Sequence, residues 1–364
     1  MYVRLSKPNL RWNKTLEKNL KNIFKKGYLT QGSFISQFEY FLGKYLGNFN
    51  VVGCSSGTSA LHLSLLSLGV SKNDEVILPA YTFPATANVV EQVGAKPVLV
   101  DVDERTFNIK IEDIEKSVSE KTKAIIPVHL FGNPCDMEKI LEISKKYNLK
   151  IIEDAAGALG SKYKNKKCGT FGDIGVFSFH PRKIITTGEG GVAVIKNKKI
   201  YEKMKILRNH GIKNKDLIFP GLNYRMNEIQ ACLGIYGIKR INKIINERKV
   251  LAKIYFKYLS GIKEVEIQNI EKNSESTWQS FVIKIKSKNV FPIINSLRQK
   301  GIEVTIGTFA IHRLRYYKDK YKFKPSDFPV TNDLYLHNLA LPFFNGMVEK
   351  DVKKVIEELK LLLK

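Results

Sequence analysis

The chain has 364 residues, 43% of them apolar and 26% charged, with a formal net charge of +25 at pH 7. That length carries about two domains, and no run approaches the roughly 20 apolar residues of a membrane span. The basic residues come in twos and threes with no block of five and no helix-turn-helix signature, which argues against nucleic acid or a membrane surface as partner and for a solvated face that helps draw in a small anion.

The first residues, MYVRLSKPNLRWNK, contain no apolar stretch of the signal-peptide kind. Cys54, Cys135, Cys168 and Cys232 are far apart and form no CxxC pair. A reducing cytoplasm is expected, and neither a disulfide framework nor a metal site is.

From about residue 50 to 196, short apolar runs alternate with helical patterns. The expected strands are FNVVGC, EVILPAY, KPVLVDV, KAIIPVHL, KIIEDA, IGVFSF and GVAVI. Helical patterns such as SALHLSLLSLG, PATANVVEQVG and DMEKILEISKKYN lie between them. Continuous Val/Ile runs joined by helices predict a mostly parallel sheet covered on both faces. One long helical pattern then runs from about Asn227 to Leu259, and strand and helix patterns alternate to the end. The spacing predicts an α/β protein with a large domain over 1–240, including an N-terminal arm, and a smaller one over 241–364.

In open parallel sheets, ligands sit beyond the carboxyl ends of the strands, so the residues after each strand carry the candidates. SSGTSALHL follows the first strand. Gly57, Thr58 and Ser59 stand at a helix start, where free amides make an anion site, or where the same residues simply cap the helix. TFPATAN follows the second strand and puts Phe83 in a Pro-bounded loop, either as a platform for an aromatic ligand or as a packed ring. KIIEDAAG ends in Glu153 and Asp154, and an acid there can hold a ring nitrogen protonated or cap a helix. IGVFSF leads into HPRKIITTGEGG. This loop holds His180 and Lys183 beside Ser178, Thr186 and Thr187, with glycines that permit close backbone approach.

A phosphate cradle, an aromatic platform, an acid and a reactive lysine together match the needs of pyridoxal phosphate. Lys183 forms the covalent link to the aldehyde, and a partly desolvated pocket keeps its amine neutral for part of the time.

GYLTQG, CSSGTSALHL, LPAYTFPATAN, PVHLFG, IIEDAAGALG, GTFGDIGVFSFHPRKIITTGEGG, LRNHG, GLNYRMNEIQACLG, GTFAIH and LPFF occur in that order along nearly the whole chain. In this order and spacing the sequence resembles the DegT/DnrJ/EryC1/StrS family of nucleotide-sugar aminotransferases. The resemblance implies the aspartate-aminotransferase fold (fold type I), with a seven-stranded sheet and a smaller C-terminal α/β domain. It makes Lys183 the Schiff-base lysine, Asp154 the partner of the pyridine nitrogen and Phe83 the stacking aromatic. Gly57, Thr58 and Ser178 match phosphate-binding positions. Asn223 matches a residue that reaches the phosphate from the neighbouring subunit, which implies a homodimer with shared active sites. His180 is expected near the sugar, and His312 with Arg313 near the diphosphate.

The same resemblance implies L-glutamate as donor and a keto sugar nucleotide as acceptor, in amino-sugar synthesis for surface polysaccharide or glycan. The loop HPRKIITTGEGG looks like relatives that act on 4-keto-6-deoxy sugars. Amination at C-3, a keto-inositol acceptor, or a non-catalytic anion-binding regulator on the same fold are the alternatives. One position departs from the family: after EDAA it usually has His or Gln, and here stands Gly157.

Overall fold

All seven apolar runs form strands, and these strands lie in one sheet. A computed structural model describes residues 2–363. In chain order the strands are β1 (Asn50–Cys54), β2 (Glu75–Pro79), β3 (Lys96–Val100), β4 (Thr122–Ile125), β5 (Lys150–Asp154), β6 (Ile174–Ser178) and β7 (Gly191–Ile195). Their spatial order is β1-β7-β6-β5-β4-β2-β3. From β6 to β3 the neighbours pair in parallel, and β7 runs antiparallel to both β6 and β1. Two reversals cancel, so β1 points the same way as β6. The carboxyl ends of β1, β2, β5 and β6 therefore meet at one edge.

The strands read as continuous apolar runs because both faces are buried. Along β7, Ala193 and Ile195 pack with Leu61 and Leu65 of the helix Gly57–Leu68. Val192 and Val194 point the other way, into Phe38 and Leu42 of the helix Ser33–Leu46. This alternation follows from the two-residue period of a strand.

The helical pattern over 227–259 is two helices, Glu228–Ile238 and Ile241–Leu259. The second spans two cores. Ile241, Ile244 and Ile245 pack with the large sheet, while Leu251, Tyr255 and Leu259 pack against a smaller one. That smaller sheet is antiparallel and four-stranded, in the order Val265–Ile267, Phe281–Ile285, Asn338–Leu341, Thr305–Ile306. The helices Val290–Gln299 and Glu349–Leu363 contribute to its core. Val3, near the start of the chain, joins the same core and bridges to Ile302. Phe309–Ala310 returns to pair with Tyr81–Thr82 just beyond β2. Among the described residues, no helix is long and apolar enough to cross a membrane.

Candidate active site

β1 ends at Cys54, and the register aligns it with Gly191 of β7 and Ser178 of β6. The helix Gly57–Leu68 starts directly above. Ser56 caps it, accepting from the Ser59 amide at 3.0 Å. The Ser59 hydroxyl returns to the Ser56 amide and carbonyl, at 2.9 and 2.8 Å. Ser59 is therefore used by the cap and buried. The donors left over are the backbone amides of Gly57 and Thr58, which have no hydrogen-bond partner among the described residues. An anion seated there meets free N–H groups and the positive end of the helix.

Two glycines allow this geometry. A Cβ on Gly57 would come within 2.9 Å of the Ser178 side chain. One on Gly191 would strike the Ser56 carbonyl at 2.3 Å. The helix end, β7 and Ser178 can converge only without those carbons.

β6 runs on into a closed loop. The Phe179 amide donates to the Gly190 carbonyl at 2.8 Å, and the Phe179 carbonyl accepts from the Thr187 amide and the Thr186 hydroxyl. Thr187 turns its hydroxyl to the Glu189 carbonyl. These buried hydroxyls thus hold the loop and are not offered to a ligand. The Lys183 amide donates to the His180 carbonyl at 2.9 Å, which sets a tight turn. Lys183 Nζ makes no hydrogen bond or ion pair among the described residues. Burial pushes its amine below the ordinary lysine range, and the charge of Asp154 only partly opposes that shift. An unpaired amine that loses its proton readily is a nucleophile.

His180 is half-buried in the same turn. Its Nδ1 accepts from the Arg182 amide at 3.2 Å, which leaves the proton on Nε2 in the neutral ring. Burial, with Lys183 and Arg182 nearby, holds its pKa below the usual value, although Glu189 opposes this.

Glu153 and Asp154 are neighbours on β5 and point to opposite faces. Asp154 is buried. Its Oδ2 accepts from Thr86 Oγ1 at 2.8 Å and its Oδ1 from the Ala156 amide at 3.1 Å. Thr86, which sequence reasoning passed over in TFPATAN, therefore fixes the acid in place. Glu153 is enclosed on the far side. It accepts from the amides of Gly169, Phe171 and Gly172 at 2.6–2.8 Å and from His129 Nε2 at 3.0 Å. His129 Nδ1 accepts the Cys135 amide, so Nε2 carries the proton. Of the two, Asp154 is the acid whose charge reaches Lys183, and Glu153 is a structural anchor.

The model of the DegT/DnrJ/EryC1/StrS aminotransferase family matches residues 11–360. The chain belongs to this family. The aminotransferase is 37% identical to the uncharacterized protein MJ1066 of Methanocaldococcus jannaschii, over 92% of each chain. It is 36% identical to the GDP-perosamine synthase of Escherichia coli O157:H7, over 91% of this chain and 90% of that one. The putative sugar aminotransferase Spr1654 of Streptococcus pneumoniae, solved in its PLP form, superposes with a TM-score of 0.93 at 28% identity, covering 100% of this chain and 99% of that one. Fold type I, the reaction class and pyridoxal phosphate as cofactor all stand.

The remaining predicted residues of the aminotransferase divide. Phe83 is 62% exposed at the same sheet edge, in a T-shaped pair with Phe309 at 5.9 Å, so much of its ring is open to a planar ligand. Ser178 is half-buried beside Gly57. Asn223 is exposed, on the segment whose Tyr224 carbonyl accepts from the Ser55 amide.

His312 is packed inside the chain. It is 1% exposed and tilted on Phe328, and neither ring nitrogen finds a hydrogen-bond partner among the described residues. Burial, with Arg313 beside it, pushes its pKa down to about 4, so it carries no charge for a diphosphate at neutral pH. Arg313 lies at the surface, held by Asn332 Oδ1 and over the Tyr335 ring.

Gly157 is not next to empty space. The carboxamide of Gln279 fills the place a side chain would take. Nothing in the sequence pairs these two positions.

Proposed function

We propose that this aminotransferase moves the amino group of L-glutamate to C-4 of a nucleotide-linked 4-keto-6-deoxy sugar. It works in the cytoplasm as a homodimer with shared active sites, in the synthesis of an amino sugar for surface polysaccharide or glycan. The observation that carries the reading is Lys183: an unpaired amine with a lowered pKa, near a buried carboxylate, at the edge where free helix amides converge.

When bound, pyridoxal phosphate supplies an aldehyde for amines and a ring that accepts electrons. The amides of Gly57 and Thr58, with Ser178, would hold its phosphate, and Phe83 its ring face. Asp154 would hold a proton on the ring nitrogen, a task its fixed position suits. Lys183 would hold the aldehyde end of the cofactor and would serve as the base that moves a proton from the donor α-carbon. His180 presents a neutral Nε2–H toward the acceptor's polar groups.

Several features support the finer statements. The loop HPRKIITTGEGG favours C-4. Similarity to a GDP-perosamine synthase supports a nucleotide-linked sugar. The four cysteines are all buried and unpaired, which suits a reducing compartment. Large apolar side chains stand exposed at Trp12, Phe24, Tyr28 and Tyr40, and again in the hairpin Ile212–Leu217 next to Asn223. Such patches mark interaction surfaces, and a second copy of this chain would bring Asn223 to a shared site.

The test is the visible spectrum of the purified protein with pyridoxal phosphate. Wild type is expected to show a band that L-glutamate bleaches, and Lys183→Ala to show none. A band identical in Lys183→Ala removes Lys183 from its role. Incubation of the aminated protein with 4-keto and 3-keto nucleotide sugars, followed by NMR of the product, then fixes the carbon.

A further inference from the structure

Gln279 belongs to the smaller sheet's side of the molecule, just before the strand Phe281–Ile285. Its side chain crosses to the large domain. Oε1 lies 3.0 Å from where a Cβ on Gly157 would stand. Nε2 donates to the Arg182 carbonyl at 3.1 Å, inside the turn that carries Lys183. Gly157 does not have the left-handed φ that excludes side chains. The atoms a side chain there would meet first are those of Gln279.

The backbone around Gln279 is held firmly. Its amide donates to the Phe131 carbonyl at 3.0 Å. Arg248 is buried with no carboxylate partner among the described residues, and its guanidinium donates to the carbonyls of Trp278 and Gln279 and to Asn345 Oδ1. Trp278 sits at φ +53°, a region a bulky residue rarely adopts. Desolvating an arginine and holding a tryptophan in that conformation are both unfavourable, and local strain of this kind gathers where a side chain must be aimed.

We infer that Gln279 is a positioning residue: it takes the place of a side chain at 157 and, through the Arg182 carbonyl, fixes the Lys183 turn against the cofactor site. It also makes the setting of Lys183 depend on how the two domains pack. This inference rests on Lys183 binding pyridoxal phosphate as proposed above.

Two variants test it, Gln279→Ala and Gln279→Glu. The second keeps the length but loses the Nε2 donor and adds a negative charge by the turn. Both are expected to weaken pyridoxal phosphate binding by about tenfold, the order expected for one lost hydrogen bond to a placed group. Both should raise the pH midpoint at which the visible band titrates, because a looser turn leaves Lys183 more hydrated. The unfolding temperature of the cofactor-free protein should fall by no more than about 2 °C, the order for one hydrogen bond in a chain of this size. Gly157→Gln in the Gln279→Ala background should restore affinity and midpoint, since the space is then free. A midpoint unmoved in both single variants, or a double variant no better than Gln279→Ala, overturns the inference. The two readings fail differently. If wild type itself gives no band, the proposed function falls and this inference with it. If wild type gives the band and Gln279→Ala titrates like it, only Gln279 loses its role.

Discussion

Glu153 and Asp154 show how one peptide step separates two roles. The strand turns Asp154 to the open edge and Glu153 into the interior. Burial alone would raise the Glu153 pKa, but His129 and the loop amides outweigh it, and the group lies below its ordinary value of 4.5. The folded pKa is thus below the unfolded one. Its contribution to stability is present above the unfolded value and is lost as pH falls through the folded one. Glu153→Gln would turn an amide NH2 toward donors, either the Gly169 amide and His129 Nε2–H or the amides of Phe171 and Gly172. The expected loss is about 3 kcal/mol at pH 7, typical for breaking a buried, charge-assisted network. Urea unfolding at pH 7 and again in acid checks this. The gap between wild type and variant should shrink as pH falls. An equal gap at both pH values would mean that the Glu153 charge is not what stabilises the loop.

At the scale of elements, the proposed cofactor cradle is a register effect. Cys54, Gly191 and Ser178 stand in line across β1, β7 and β6, and the helix cap settles into the space above Gly191. Gly191→Ala forces a carbon to 2.3 Å from the Ser56 carbonyl. Because backbone and not a flexible side chain is in the way, the cap must shift. We expect about 1–3 kcal/mol of destabilisation from overpacking, together with much weaker pyridoxal phosphate binding. Thermal unfolding and a cofactor titration of one preparation measure both. Normal binding in a destabilised variant would separate the cradle from the register. Elements of this kind were legible in the sequence because a strand buried on both faces is apolar throughout, and each of the seven was marked by its Val/Ile run. The break at Lys239–Arg240 was not, since the apolar helical pattern continues across it. Nor was the burial of His312: a polar residue packed on Phe328 looks the same in sequence as one that faces a ligand. The meeting of Asp154 and Lys183 at one sheet edge was legible because both lie at or just after strand ends. Gln279 was not, because the contact that matters joins distant segments and leaves no local pattern.

At the scale of the whole molecule, the proposed homodimer has each copy completing the other's site. Within one chain Asn223 is exposed, beside a hairpin whose Ile212, Leu217 and Ile218 are also exposed. If Asn223 serves the neighbouring subunit's phosphate, Lys183→Ala and Asn223→Ala damage the same site from different chains. A hybrid of the two variants then collects both defects in one site and leaves the other with an intact Lys183 and an intact Asn223. Random mixing puts about half of the dimers in hybrid form, each with one good site of two, so about a quarter of wild-type activity should return. The mixture is made by unfolding and refolding the two variants together, with cofactor held near its dissociation constant so that the loss of Asn223 is felt. Activity no higher than the average of the separately refolded variants would place Asn223 in its own chain's site. The shared-site arrangement would then lose its main support, although the exposed aromatic side chains near the N-terminus would still need a partner surface.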